Sequence, residues 1–97
     1  MADGLQYNTG LTSLELNRND IGDIGTQALA NALRFNSTLK CLDLSSNVIR
    51  NAGAIALSEA LTLNVSLTAI NLKYNEISSE GAMALAEGLK SNSTLKL

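Results

Sequence analysis

The chain has 97 residues, a formal net charge of −2, one cysteine and no histidine. That length admits one domain with a small core. The dispersed charge argues against nucleic acid and an electrostatic membrane surface as partners, and the cysteine and histidine counts leave no disulfide framework, zinc set or Cys-His catalytic pair. With two tyrosines, one phenylalanine and no tryptophan, the core has to be built from Leu, Ile and Ala. The opening "MADGLQYNTG" lacks the basic start and apolar centre of a signal peptide, and no apolar run is long enough to span a membrane, so the expected setting is cytoplasmic and reduced.

Residues 1–10 read as the remnant of a preceding unit, because Met1 to Leu5 matches Leu85 to Leu89 and Asn8 falls 28 before Asn36. Three blocks without insertion or deletion then begin at Leu11, Leu39 and Leu67, a spacing of 28 residues each time. The repeats are placed at 11–38, 39–66 and 67–94, with 95–97 starting a fourth strand, all in a single domain. Each block opens with Leu14 and Leu16, Leu42 and Leu44, or Ile70 and Leu72, an alternation that predicts a short strand with one side chain in two turned inward. The period then changes to that of a helix: Ala28, Leu29, Ala32 and Leu33 recur as Ala56, Leu57, Ala60 and Leu61, and as Ala84, Leu85, Gly88 and Leu89.

Polar residues keep to columns as well. Asp23, Asn51 and Ser79 stand where the helical pattern begins and are expected to cap their own helices. Asn36, Asn64 and Asn92 follow the last helical leucine and are expected to end the helices in the left-handed conformation. Ala28, Ala56 and Ala84 are expected to let helix and strand approach closely, and Gly25, Gly53 and Gly81 to relieve crowding or permit unusual backbone angles at the passage between them. Asn19, Asn47 and Asn75 sit at the strand-to-helix corner amid apolar neighbours. A corner leaves backbone donors and acceptors without partners, and an amide that both donates and accepts can satisfy them and stitch neighbouring corners together. Aspartate there would lose the donor and bury a charge.

The template LxxLxLxxNxI followed by GAxALAxAL, as in Leu67 to Asn75 and Gly81 to Leu89, resembles the leucine-rich repeat of the ribonuclease-inhibitor type, found also in NOD-like receptors. The resemblance covers essentially the whole chain. It implies an α/β fold, a right-handed β-α solenoid of about three 28-residue repeats with a parallel concave sheet and convex helices. It also implies a non-enzymatic scaffold that binds a protein through the concave surface and its rim.

On that face the positions between the inward leucines are Ser13, Glu15, Asn17 and Arg18; Cys41, Asp43, Ser45 and Ser46; and Ala69, Asn71, Lys73 and Tyr74. Arg18, Tyr74 and Lys73 are the expected partner contacts, since aromatic and cationic side chains carry much of the energy of an interface, with Glu15, Asp43 and Asn71 beside them. Each of these side chains taken alone also fits a solvated strand. Glu15 and Asp43 on adjacent strands have the spacing of catalytic carboxylates, but a flat exposed sheet leaves both solvated, so no catalysis is assigned. No cofactor or metal is expected, and Cys41 reads as a space-filling thiol. The sequons at Asn36, Asn64 and Asn92 are discounted because the repeat places all three in one structural column. The alternative to a binding module is a structural segment that forms homo-oligomers through its end layers, with Leu95 and Leu97 at one end and Leu5, Leu14 and Leu16 at the other.

Overall fold

The computed structural model of the protein describes residues 10–91, and within them strand and helix alternate as the periodicity predicts. The order is β1 (Ser13–Glu15), α1 (Gly22–Leu33), β2 (Cys41–Asp43), α2 (Asn51–Leu63), β3 (Ala69–Asn71) and α3 (Ser79–Ser91). The strands form one parallel sheet in the order β1-β2-β3. Its register is that of the repeat: Leu14 opposite Leu42 opposite Ile70, and Glu15 opposite Asp43 opposite Asn71. Helices stacked ~8–10 Å apart occupy more length than strands ~4.8 Å apart, so the stack bends with the sheet inside and the helices outside. The fold is the expected α/β repeat solenoid.

Between sheet and helices lies a core of Leu29, Leu33, Leu39, Leu42, Leu44, Ile49, Leu57, Leu61 and Leu67, all buried. Asn47 is buried among them at 0% exposure. Its Oδ1 accepts the N–H groups of Asn19 at 2.8 Å and Ile21 at 3.3 Å, and its Nδ2 donates to the carbonyls of Leu16 at 2.8 Å and Ser45 at 3.1 Å. Asn75 repeats the pattern one unit on, accepting from Asn47 at 2.9 Å and Ile49 at 3.0 Å and donating to Leu44 at 2.9 Å. The corner asparagines therefore stitch each unit to the one before it. Among the described residues no buried side-chain nitrogen or oxygen lacks a hydrogen-bond partner.

Three expectations are corrected by the way units touch. Asp23 and Asn51 do not cap their own helices: Ile21 and Arg50 precede α1 and α2, and neither helix start has a side-chain cap from its own N-cap residue. Each serves the following helix instead. Asp23 Oδ1 accepts the N–H groups of Arg50 at 2.8 Å and Gly53 at 3.0 Å, and Asn51 Oδ1 accepts those of Ser78 at 3.0 Å and Gly81 at 3.1 Å. Ser79 opens α3 in the same column.

The helix-end asparagines are likewise not left-handed. Asn64 is extended at φ −74°, and Asn36 is not among the residues with positive φ. Both are buried, and their Oδ1 atoms hold the returning chain: Asn36 accepts from Thr38 and Leu39, and Asn64 from Ser66 and Leu67. Asn64 Nδ2 also reaches back a unit, to the carbonyls of Leu33 at 2.8 Å and Asn36 at 3.2 Å. Amides committed in this way at 3% and 4% exposure are poor glycan acceptors. Asn92, Leu5, Leu95 and Leu97 lie outside the described residues.

The third correction concerns Ala28, which is exposed, and Ala56 and Ala84, which are only half-buried. The close approach is between helices, at Gly88, where an added Cβ would lie 2.7 Å from the Ser58 carbonyl oxygen. Gly53 and Gly81 relieve crowding and have no positive φ. A Cβ on Gly53 would lie 2.7 Å from Asp23 Oδ1 and 2.8 Å from Ile49 Cγ2, the oxygen that caps α2 and a core methyl. In an open helix Gly→Ala stabilises by about 1 kcal/mol. Here the sign reverses. Gly53→Ala should destabilise by about 1–3 kcal/mol in urea unfolding, the usual cost of overpacking, and a midpoint at or above wild type would mean that Asp23 does not hold the start of α2.

Candidate functional site

The outer face of the sheet is built from the residues that alternate with the core leucines. Ser13, Cys41 and Ala69 form one exposed row across the three strands, and Glu15, Asp43 and Asn71 form the next. Pairing therefore brings together three of the six expected contacts, Glu15, Asp43 and Asn71, on adjacent strands ~4.8 Å apart. Glu15 is exposed, while Asp43 and Asn71 are half-buried by the turns that follow them.

Those turns fix the polar groups. Asp43 Oδ1 accepts both the backbone N–H of Ser45 at 3.0 Å and its hydroxyl at 2.7 Å. The backbone bond and then the hydroxyl bond of Ser45 hold the Asp43 carboxyl below its ordinary value, against a smaller opposing effect of desolvation. Asn71 Oδ1 accepts the N–H of Lys73 at 3.0 Å, which leaves its Nδ2 as the group presented outward. The row thus reads carboxylate, carboxylate, amide donor. Ser45 was placed on the face but not among the expected contacts, although its two bonds help hold the Asp43 carboxyl low; a serine two residues after an aspartate is the local signal that marks such a turn.

Beyond the strands the backbone hydrogen bonds continue from unit to unit. Leu16 N donates to Asp43 O at 2.9 Å, Arg18 N to Ser45 O at 3.0 Å and Ser46 N to Lys73 O at 3.0 Å. Within each turn the corner asparagine donates Nδ2 to the carbonyl two residues back, Asn19 to Asn17 at 3.3 Å, Asn47 to Ser45 at 3.1 Å and Asn75 to Lys73 at 3.3 Å, and the residue between is left-handed: Arg18 at φ 61°, Ser46 at 57° and Tyr74 at 59°, with Asp20 and Val48 left-handed as well. For residues with a Cβ that conformation costs roughly 1–2 kcal/mol. Tyr74 is 84% exposed with exposed Lys73 next to it in the chain, and Arg18 is exposed on the same rim two strands away. Farther along, Arg50 and Glu76 form an exposed ion pair at 3.3 Å, an interaction of small energetic weight. Cys41 is a free, exposed thiol in the middle of the face.

The arrangement supplies fixed charges, one protruding ring and an open surface. Among the described residues no three potential metal ligands come together, and no helix is long and apolar enough to cross a membrane. Asp43 has a depressed folded-state value, so its contribution to stability is present above the ordinary carboxylate value of 3.8 and is lost as pH falls through the lower folded one. Ser45→Ala removes the hydroxyl bond but leaves the backbone one. An NMR titration should show the Asp43 midpoint moving up toward the ordinary range, and no movement would mean that the hydroxyl does not contribute.

Comparison with known proteins agrees with this geometry. The leucine-rich-repeat family profile matches residues 7–30, 35–58 and 63–86. Among solved structures, actin-binding site 2 of leiomodin-1 is similar at 30% identity and a TM-score of 0.92, over 97% of this chain and 56% of that one. The tropomodulin C-terminal domain of Caenorhabditis elegans is similar at 18% identity and a TM-score of 0.86, over 97% of this chain and 57% of that one, which bears on the fold alone. The chain thus spans a little over half the length of these neighbours. A search of curated proteins returned no match. Three consecutive family matches, laid on a sheet and helices that repeat in the same period, place the chain in the leucine-rich-repeat family.

Proposed function

We propose that the protein is a non-catalytic interaction module that holds a protein partner against the concave face of its sheet and the rim turns above it. The observation that carries this reading is the row of Glu15, Asp43 and Asn71, aligned by strand pairing, with two of its three groups locked by the turns that follow. Preset polar groups cost little to order on binding, which favours recognition. The same locking disfavours acid–base chemistry, because Ser45 shifts the Asp43 carboxyl downward whereas a general acid would need a raised value. Each repeat carries a full helix of 12 or 13 residues, which supports the ribonuclease-inhibitor type of repeat. The exposed thiol of Cys41 suits a reducing, cytoplasmic setting.

The similarity to a leiomodin-1 segment described as actin-binding makes actin the first partner to test. In co-sedimentation, Glu15→Arg combined with Asn71→Arg should lower retention by actin at least tenfold, about 1.4 kcal/mol, while Gln27→Arg with Glu59→Arg on the helical side should leave it unchanged. Equal loss from both pairs, or loss from neither, would move the interface off the sheet.

A second reading is favoured by a gradient in burial. Leu42, Leu44 and Leu57 of the middle unit are at 2%, 0% and 0% exposure, whereas Leu14, Leu16, Ile70 and Leu72 of the flanking units are only partly buried. Self-association through these outer layers would cover them. Sedimentation equilibrium should then show mass rising with concentration, and a constant monomer mass would remove this route.

A further inference from the structure

We infer that Arg18 and Tyr74 are held at the left-handed rim position for recognition and at the expense of folding, and that Tyr74 enters an apolar pocket of a folded protein partner, bordered by a carboxylate that meets Lys73. The inference rests on the interaction-module reading and specifies the partner chemistry within it.

The backbone of the rim is dictated by the turn, which the corner asparagine closes in every unit by donating to the carbonyl of Asn17, Ser45 or Lys73, and Tyr74 takes the same conformation with no bond from its own amide to a following unit among the described residues. The amides of Arg18 and Ser46 each bond to a carbonyl of the next unit at 3.0 Å, and φ at the three equivalent positions differs by only a few degrees. Because the conformation is given, the choice of residue is free, and folding alone would select glycine or asparagine, which enter the left-handed region most easily. Ser46 illustrates a small, half-buried occupant, and the left-handed Val48 is half-buried as well. Tyr74 lacks that compensation. It is 84% exposed, and among the described residues its phenol has no hydrogen-bond or ring partner. Arg18 is also exposed, and its guanidinium has no ion-pair partner among the described residues. A large side chain that strains the backbone and buries little is retained for what it touches outside the fold.

Its chemistry limits what that is. Tyrosine and arginine are the residue types that most often dominate protein interfaces, and a ring projecting from a turn fixed by the Asn71–Lys73 bond is ordered before it binds. Burying the ring calls for a concave apolar receptor, and the exposed ammonium of Lys73, next in the chain, calls for a carboxylate at its border.

The experiment compares Tyr74→Asn, Arg18→Asn and Tyr74→Phe in urea unfolding and in co-sedimentation with actin. Asparagine at either position should raise the urea midpoint, by about 0.5 M, and lower actin retention at least tenfold. Tyr74→Phe, which keeps both ring and strain, should leave the midpoint at the wild-type value and retention within about threefold. A lower midpoint in the asparagine variants would overturn the inference, because the side chains would then serve the fold. Unchanged retention in those variants, with wild type retained, would also overturn it. If wild type itself is not retained, the actin reading fails on its own, and the midpoints alone decide: a rise supports the inference and a fall overturns it.

Discussion

A side-chain oxygen that accepts two backbone N–H groups from a neighbouring unit is the interaction on which this fold depends. Asn47 and Asn75 do this at the strand corners, and Asp23 and Asn51 at the helix starts. Removing a neighbour would return these amides to water and forfeit two inter-unit hydrogen bonds at each place, each worth about 0.5–1.5 kcal/mol net, together with the apolar contact between units. A unit of 28 residues gains too little apolar burial to offset several such losses. Stability is therefore a property of adjacency, which is the reason a solenoid unit does not fold alone.

The same dependence fixes the outer face of the sheet. Positions that serve the stack keep their residue type through the chain: leucine or isoleucine inside the strands, asparagine at the corner, asparagine at the helix end. Positions on the outer face change at every unit, as in Glu15, Asp43 and Asn71, or Arg18, Ser46 and Tyr74. Because three-residue strands and their turns are held by inter-unit bonds, a face residue can change without moving the backbone beneath it. The columns that the stack leaves free are the ones whose residue type varies from unit to unit.

This division decides what was legible in the sequence. Strand, helix, register and core followed from two apolar periods in a 28-residue frame, and the corner role of Asn47 followed from counting unpaired backbone groups. Asn36 and Asn64 were expected to be left-handed and instead hold the chain two and three residues on, while Asp23 and Asn51 were placed correctly along the chain and misassigned in space. Capping rules refer each polar residue to its own helix, whereas the stack brings the adjacent helix within reach of the same oxygen. The left-handed turns at Arg18 and Tyr74 carried no signal, since neither residue type favours that conformation and the requirement comes from the turn that the corner asparagine closes around each of them. Ser45 was placed on the face but not among the expected contacts, because its effect is on Asp43.

The two inter-helix contacts also show why a column can hold an acid in one unit and an amide in the next. Asp23 brings a negative charge to the start of α2, where exposed N–H groups favour it by ~0.3–1 kcal/mol. Asn51 brings no charge to α3, but its Nδ2 donates to Ser78 Oγ at 2.7 Å, a bond that aspartate could not donate. The residue in Ser78's column one unit earlier is Arg50, which has no hydroxyl to accept such a bond. Gly88, against the Ser58 backbone, further lets α3 sit closer to α2 than an alanine would allow. Each interface thus reaches a satisfied state through different chemistry in the same geometry, whereas the corner and helix-end columns, where Asn47 and Asn64 are buried and both donate and accept, keep asparagine.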